Sequence, residues 1–317
     1  MEQRKTIIGI DVSKKTLDIF IKSLDVYLQI LFSSAGFSLF QILLGTTPNM
    51  APPSNLKNPV DENNLCNWAM RSLLIEDGNR LILIDTGIGN KQDAKFFSHY
   101  YLSGNDTLDT SLAACGFHRN DITDVILTHL HFDHCGGSII REGDKLITAF
   151  KNAVYWSNKD HWQWATQPND REKASFLKDN ILPIADSGQL KFIDTPASKL
   201  DEDGKLPATV FNENISLRFV NGHTGMMMLP QIKYKEKTII YLADLMPSVN
   251  HLPIPYVMAY DMFPLTTLNE KKSFLKEALE NNYTLFFEHD AVNECCSLQQ
   301  TERGIRQKDV FDLNEIA

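Results

Sequence analysis

Three histidines and an aspartate fall within six consecutive positions of THLHFDHCGG, residues 128–137. The chain has only nine histidines in all, so a third of them sit in this one stretch. Imidazole nitrogens and carboxylate oxygens are the donors that hold zinc and similar divalent cations. Along an extended strand, side chains two apart project to the same side, so His129 and His131 can address one ion. Asp133 and His134 follow where the chain must turn, and they can address a second point a few ångströms away. The spacing is a pattern for two metals. Each ion needs more donors than this, and the sequence offers three at similar places. His223 lies in NGHTG just after ISLRFV, Asp244 ends TIIYLAD, and His289 closes TLFFEHD. All three terminate apolar runs, as His129 terminates DVILT, which implies one edge where several strand ends converge.

HLHFDH resembles the His-x-His-x-Asp-His motif of the metallo-β-lactamase superfamily, and GHTG, LAD and EHD resemble its later metal-binding motifs in the expected order. The resemblance spans residues 60–300. Within the superfamily, the stretch from ADLMPS to FFEHD is most similar to the branch holding methyl parathion hydrolases and acyl-homoserine lactonases. The resemblance implies an α/β fold, a four-layer αββα sandwich with the site along one edge of two sheets. It implies a dinuclear site holding two zinc ions: His129, His131 and His223 on one, Asp133, His134 and His289 on the other, and Asp244 bridging. Asp133 and Asp244 are the carboxylates it places in the catalytic role. A hydroxide shared by the ions would attack a carbonyl carbon or a phosphorus, with no serine or cysteine nucleophile required. The implied activity is metal-dependent hydrolysis of a small ester-like substrate, a lactone of the acyl-homoserine type first. A phosphotriester is the alternative, and a β-lactam or a nucleic acid ranks lower. Di-iron redox relatives carry a glutamate where this chain has His131, which favours zinc.

The elements that must position these residues are legible from about Asp61 onward. RSLLIEDGNRLILID reads as two β-rich runs around Asp77 and Gly78, a hairpin signal, and DVILTH is a short buried strand running into the histidine cluster. Residues 91–115 and 158–181 carry helical spacing. ISLRFV, MMMLPQIKY and KTIIYLAD read as successive strands, and YTLFFEHD as one more. Thr267 and Glu270 form a capping-box signature for a helix running to about Asn281. Asp85 in LIDTG is placed either to orient a ligand or to cap a turn, and His251 to line the pocket or bond a neighbouring group. Trp156, Trp162 and Trp164 form either an aromatic wall or ordinary packing. Cys135 reads as packing, and His99, His118 and His161 as surface residues.

With 317 residues, 43% hydrophobic and 22% charged, the composition is that of a globular enzyme. The formal charge of −9 argues against gripping phosphate backbones, so no nucleic-acid partner is expected. A homodimer is compatible with the composition. Five cysteines, an odd number with no Cys-x-x-Cys spacing, point to a reducing, cytoplasmic setting, with a periplasmic one as the alternative. Residues 1–55 read as an atypical N-terminal extension and 56–317 as the hydrolase domain. IIGIDVSKKTLDIF resembles the first strand of insertion-sequence transposases, with no such domain downstream. Residues 26–45 carry no charge but are diluted by polar side chains, and a membrane span is not favoured. A fusion scar would account for this beginning.

Overall fold

The computed structural model describes residues 22–31, 65–102, 104, 106–196 and 205–316. Two sheets face each other. The first is built from β1 (Lys22–Leu31), β2 (Leu65–Asp77), β3 (Arg80–Ile84), β4 (Asp124–Ile126), β7 (Val154–Asn158) and β8 (Leu190–Ile193), in that spatial order. A small hairpin, β5 (Ile139–Glu142) and β6 (Lys145–Thr148), stands apart from it. The second sheet runs β15 (Gly304–Phe311), β14 (Cys295–Thr301), β13 (Thr284–Phe286), β12 (Lys237–Tyr241), β11 (Met227–Tyr234), β10 (Ile215–Val220), β9 (Ala208–Val210). The described helices are α1 (Ala94–Phe97), α2 (Leu108–Ala114), α3 (Phe132–Cys135), α4 (Lys159–Thr166), α5 (Lys178–Asp186) and α6 (Pro264–Glu280).

Strand alternation assigns the layers. On β3, Ile82 and Ile84 join Leu217, Phe219, Ile239 and Leu285 of the second sheet in a core that also takes in Phe274, Leu275 and Ala278 of α6. Leu81 and Leu83 point the other way, into a second core with Leu112 of α2, Ala165 of α4 and Ile181 and Ile184 of α5. The layers are therefore helices, sheet, sheet, helix, the four-layer αββα sandwich expected from the sequence.

Strand direction places the site. β3, β4, β7 and β8 are parallel neighbours, as are β12 and β13. Antiparallel pairing of β10 with β11 and of β11 with β12 makes β10 run the same way as β12. Asp85, His129, His223, Asp244 and His289 therefore all lie just beyond C-terminal strand ends on one rim. At that rim β2 also touches the second sheet: Ala69 N–H donates to His289 O at 3.2 Å and Arg71 N–H to Glu288 O at 3.1 Å.

Several local expectations change. The helical stretch 91–115 holds two short helices, because the first ends at its cap Ser98 and Thr107 caps a new one. The stretch 158–181 divides likewise, interrupted after Thr166 by the segment containing Pro168. Thr267 and Glu270 do not cap a helix. α6 starts three residues earlier with Pro264 in its first turn, where the missing N–H costs nothing. β1 lies in the stretch the sequence sets apart as an extension, and its backbone pairs antiparallel with β2 from Lys22 opposite Leu74 to Leu31 opposite Leu65. The transposase-like residues 7–20 and residues 32–45 lie outside the described residues. No helix among the described residues is long and apolar enough to cross a membrane.

Candidate metal centre

The seven residues singled out in the sequence meet on the rim. Nε2 of His129 lies 3.0 Å from Nδ1 of His131, and Nε2 of His223 lies 3.2 Å from the same Nδ1. Asp244 Oδ2 is 3.0 Å from His223 Nε2 and 3.8 Å from His129 Nε2. This makes one group of four donors. Beside it, Nε2 of His134 and His289 are 3.3 Å apart, with Asp133 Oδ2 3.9 Å from His134 Nε2, the second group. Asp244 spans the two: Oδ1 is 3.1 Å from His289 Nε2 and Oδ2 is 3.5 Å from His134 Nε2.

Each imidazole has its outer nitrogen engaged, which decides where its proton sits. Nδ1 of His129 lies 3.1 Å from Thr128 Oγ1, whose hydroxyl donates to Asp85 Oδ2 at 2.6 Å. Nε2 of His131 faces Glu172 Oε1 at 3.0 Å, and Nδ1 of His223 faces Asp261 Oδ1 at 3.1 Å. Nδ1 of His134 has carboxylates on two sides, Asp85 Oδ2 and Glu288 Oε2, each at 3.1 Å. Nδ1 of His289 donates to Ala69 O at 2.8 Å. With protons on the outer nitrogens, five inner nitrogens turn bare lone pairs toward one another, and carboxylate oxygens are the other donors between them. Asp244 Oδ1 is buried without a hydrogen bond. Such a donor set is repulsive unless cations lie within it, and imidazole with carboxylate suits zinc-like ions. Burial and the neighbouring imidazoles hold His129 well below the ordinary histidine range, so its lone pair is free. Burial would raise Glu172, but His131 and Trp164 draw its carboxyl down to about 2.

Local backbone supports this placement. Asp85 and Ala243 adopt left-handed conformations, φ 55° and 43°, sharp turns that follow β3 and β12 and deliver Asp85 and Asp244. The close approach of Gly137 to the loop after β3 leaves no room for a side chain, since a Cβ there would lie 2.2 Å from Thr86 O. On α6, Glu270 accepts the N–H groups of Asn221 and Gly222, at 2.7 and 3.0 Å, and so fixes the loop that carries His223.

Other expectations resolve differently. His161 is not a surface residue: it is fully buried, Nε2 accepting from Leu130 N–H at 2.9 Å and Nδ1 donating to Gly225 O at 2.5 Å. It thereby holds the backbone between His129 and His131. His99 and His118 are exposed. His251 sits behind Trp68, which lies against the His289 ring with centroids 5.2 Å apart. The tryptophans do not form one wall. Trp156 donates to Asp124, Trp162 packs on Phe192, and only Trp164 reaches the centre, donating to Glu172 Oε2 at 2.7 Å. Glu172, Asp261 and Glu288 escaped sequence reading because solitary acids carry no pattern, and Glu270 reads in the sequence as part of a helix cap rather than as the acceptor of the Asn221 and Gly222 amides. Also missed was an apolar cluster of Met70, Ile88, Phe96, Phe97, Tyr100 and Phe132, separate from both cores. Its Phe132 stands between His131 and Asp133, with Tyr100 4.8 Å away ring to ring.

The family model of the metallo-beta-lactamase superfamily matches residues 71–289. Among solved structures, a probable metal-dependent hydrolase from Staphylococcus aureus aligns with TM-score 0.74 at 21% identity, covering 94% of this chain and 100% of that one. The dizinc quorum-quenching lactonase AidC, in complex with a product, aligns with TM-score 0.64 at 21% identity, covering 95% and 98%. AbOPH, a hydrolase in the beta lactamase superfamily, aligns with TM-score 0.63 at 18% identity, covering 94% and 99%. Comparison with curated protein sequences finds no match.

Proposed function

The chain belongs to the metallo-beta-lactamase superfamily, and from that premise we propose that it is a dinuclear zinc hydrolase of small ester-like substrates, with a lactone of the acyl-homoserine type as its natural class. The observation that carries the reading is the pair of donor groups, His129, His131 and His223 beside Asp133, His134 and His289, with Asp244 between them. His129, His131 and His223 would hold one ion, Asp133, His134 and His289 the other, and Asp244 both. Two bound divalent cations supply an acidified water and polarise the ester carbonyl at neutral pH. The chain's own part is orientation. Thr128, Glu172, Asp85, Asp261 and the Ala69 carbonyl hold the outer imidazole protons, so that every inner nitrogen can donate. Asp133, half-buried, stands beside Phe132 and Tyr100, which offer an acyl chain an apolar surface next to the ions.

A lactone is favoured because a small acyl ester needs this combination of a polar rim and one apolar wall, and because lactonases are among the proteins of similar fold. The test compares turnover of an acyl-homoserine lactone, a paraoxon-type triester and a chromogenic cephalosporin by one zinc-loaded preparation. Lactone opening is expected to have the highest kcat/KM. Asp244→Asn is expected to lower it by more than the roughly 10–100-fold that losing an outer partner costs. Turnover of none of the three with two zinc ions bound would sink the substrate class.

A further inference from the structure

Three of the five imidazoles at the centre find their outer partner on a strand, at a strand end or on the adjacent residue, and a fourth finds it in the short loop before α6. His129 uses Thr128, His134 uses Asp85 and Glu288 at strand ends, His289 uses Ala69 O on β2, and His223 uses Asp261 just before α6. His131 differs. Its partner Glu172 comes from the irregular segment 167–177 between α4 and α5, and it is 4% exposed. Oε1 of Glu172 takes the His131 bond at 3.0 Å. Oε2 accepts from Trp164 Nε1–H at 2.7 Å and from the Asn169 amide at 3.1 Å. The segment closes around this carboxylate: Asn169 Oδ1 accepts the N–H groups of Arg171 and Glu172, at 3.0 and 3.1 Å, and Ser175 O accepts Phe132 N–H at 2.9 Å. One residue before Glu172, the Arg171 guanidinium donates to Ala259 O at 2.7 Å, on the far side near Asp261.

A carboxylate acceptor on Nε2 fixes the tautomer in which Nδ1 of His131 is bare, and Nδ1 is the atom that faces His129 and His223. We propose that Glu172 is the positioning residue for the His129–His131–His223 cation position, ordering segment 167–177 and the His131 ring as one unit through its two oxygens. The proposal rests on the dinuclear reading above. Loss of the carboxylate should weaken one cation of the two, leaving the Asp133–His134–His289 position intact.

The experiment is chelator competition on the full-length chain loaded with zinc, followed equivalent by equivalent, with the histidine tautomers read by nitrogen-15 NMR of the zinc form. Glu172→Ala is expected to release one equivalent about 10–100-fold more readily while the other keeps its wild-type competition curve. Glu172→Gln, still an acceptor toward Nε2 but with an NH2 group facing the Trp164 and Asn169 donors, should recover only part of the loss. Trp164→Phe, which removes one donor to Oε2, should fall between. Arg171→Ala breaks the tie to Ala259 without touching His131 and should leave both curves unchanged. Wild-type curves for Glu172→Ala, or an equal loss in Arg171→Ala, would overturn the assignment. Should the alanine chain not fold, unchanged curves for both Trp164→Phe and Glu172→Gln overturn it instead. A wild-type chain that takes up fewer than two equivalents would reject the dinuclear reading, an outcome distinct from failure of the Glu172 variants alone.

Discussion

Glu270 and Gly222 are bound across the fold: the carboxylate on α6 accepts the glycine amide at 3.0 Å, one residue before His223. The neighbouring Asn221 amide shares the same carboxylate at 2.7 Å. Glu270→Ala would leave two N–H groups, one buried and one half-buried, without their charged acceptor, a loss of about 3 kcal/mol at the usual strength of such bonds. Urea unfolding at neutral pH should show that loss, and zinc uptake should weaken because His223 is no longer held. Unchanged stability would mean that the loop holds itself.

Gly137 offers a test of close approach. A methyl there would meet Thr86 O at 2.2 Å, a backbone atom that cannot swing aside. Gly137→Ala should cost about 1–3 kcal/mol as the loop after β3 is pushed off Asp85. A thermal melt within a degree of wild type would show that the loop yields freely.

His161 makes a pH prediction. Burial, as the main cause, lowers it to about 4, and its neutral form is needed because one ring nitrogen accepts from Leu130 while the other donates to Gly225. The unfolded chain takes up a proton near 6.5, so between 6.5 and about 4 the unfolded state holds more protons. The contribution is complete above 6.5 and lost as pH falls toward 4, a difference of order 3 kcal/mol. Denaturation midpoints of wild type and His161→Gln at pH 7 and pH 5 should converge at the lower pH. Parallel lines would remove His161 from the account.

The cluster around Phe132 and Tyr100 should read acyl length. If it forms the apolar wall, each methylene of a lactone's chain gains about 0.8 kcal/mol, roughly fourfold in kcat/KM, while it lies on that surface. Tyr100→Ala should flatten the dependence across a series of chain lengths and leave the shortest lactone least affected. An unaltered slope would place the chain elsewhere.

Of the seven candidate ligands, His129, His223, Asp244 and His289 were legible because each ends an apolar run, and His131, Asp133 and His134 because they crowd behind His129 in HLHFDH. Layer order came only with the family resemblance, because a run such as RLILI is apolar at four successive positions and does not say which side chain faces which core. What escaped depends on distance rather than on pattern. Glu270 and Thr267 carry the spacing of a helix start, yet tertiary contact gives Glu270 a different pair of amides, forty-eight and forty-nine positions away. His161 lies on a helix with mixed surroundings, and nothing local says that its ring passes beneath Leu130. Glu172 stands in a run of charged and polar residues that reads as solvated loop, although the Trp164 indole and the His131 ring enclose it.

The rim where β2 meets residues 288–290 joins the two sheets through only a few backbone bonds, Ala69 to His289 and Arg71 to Glu288 among them. Divalent ions seated between His129, His131 and His134 on one sheet and His223, Asp244 and His289 on the other would rivet that seam shut. Without such ions that margin would rest on these bonds alone and open more readily, so depletion of metal would be expected to shorten the protein's lifetime before it limits turnover.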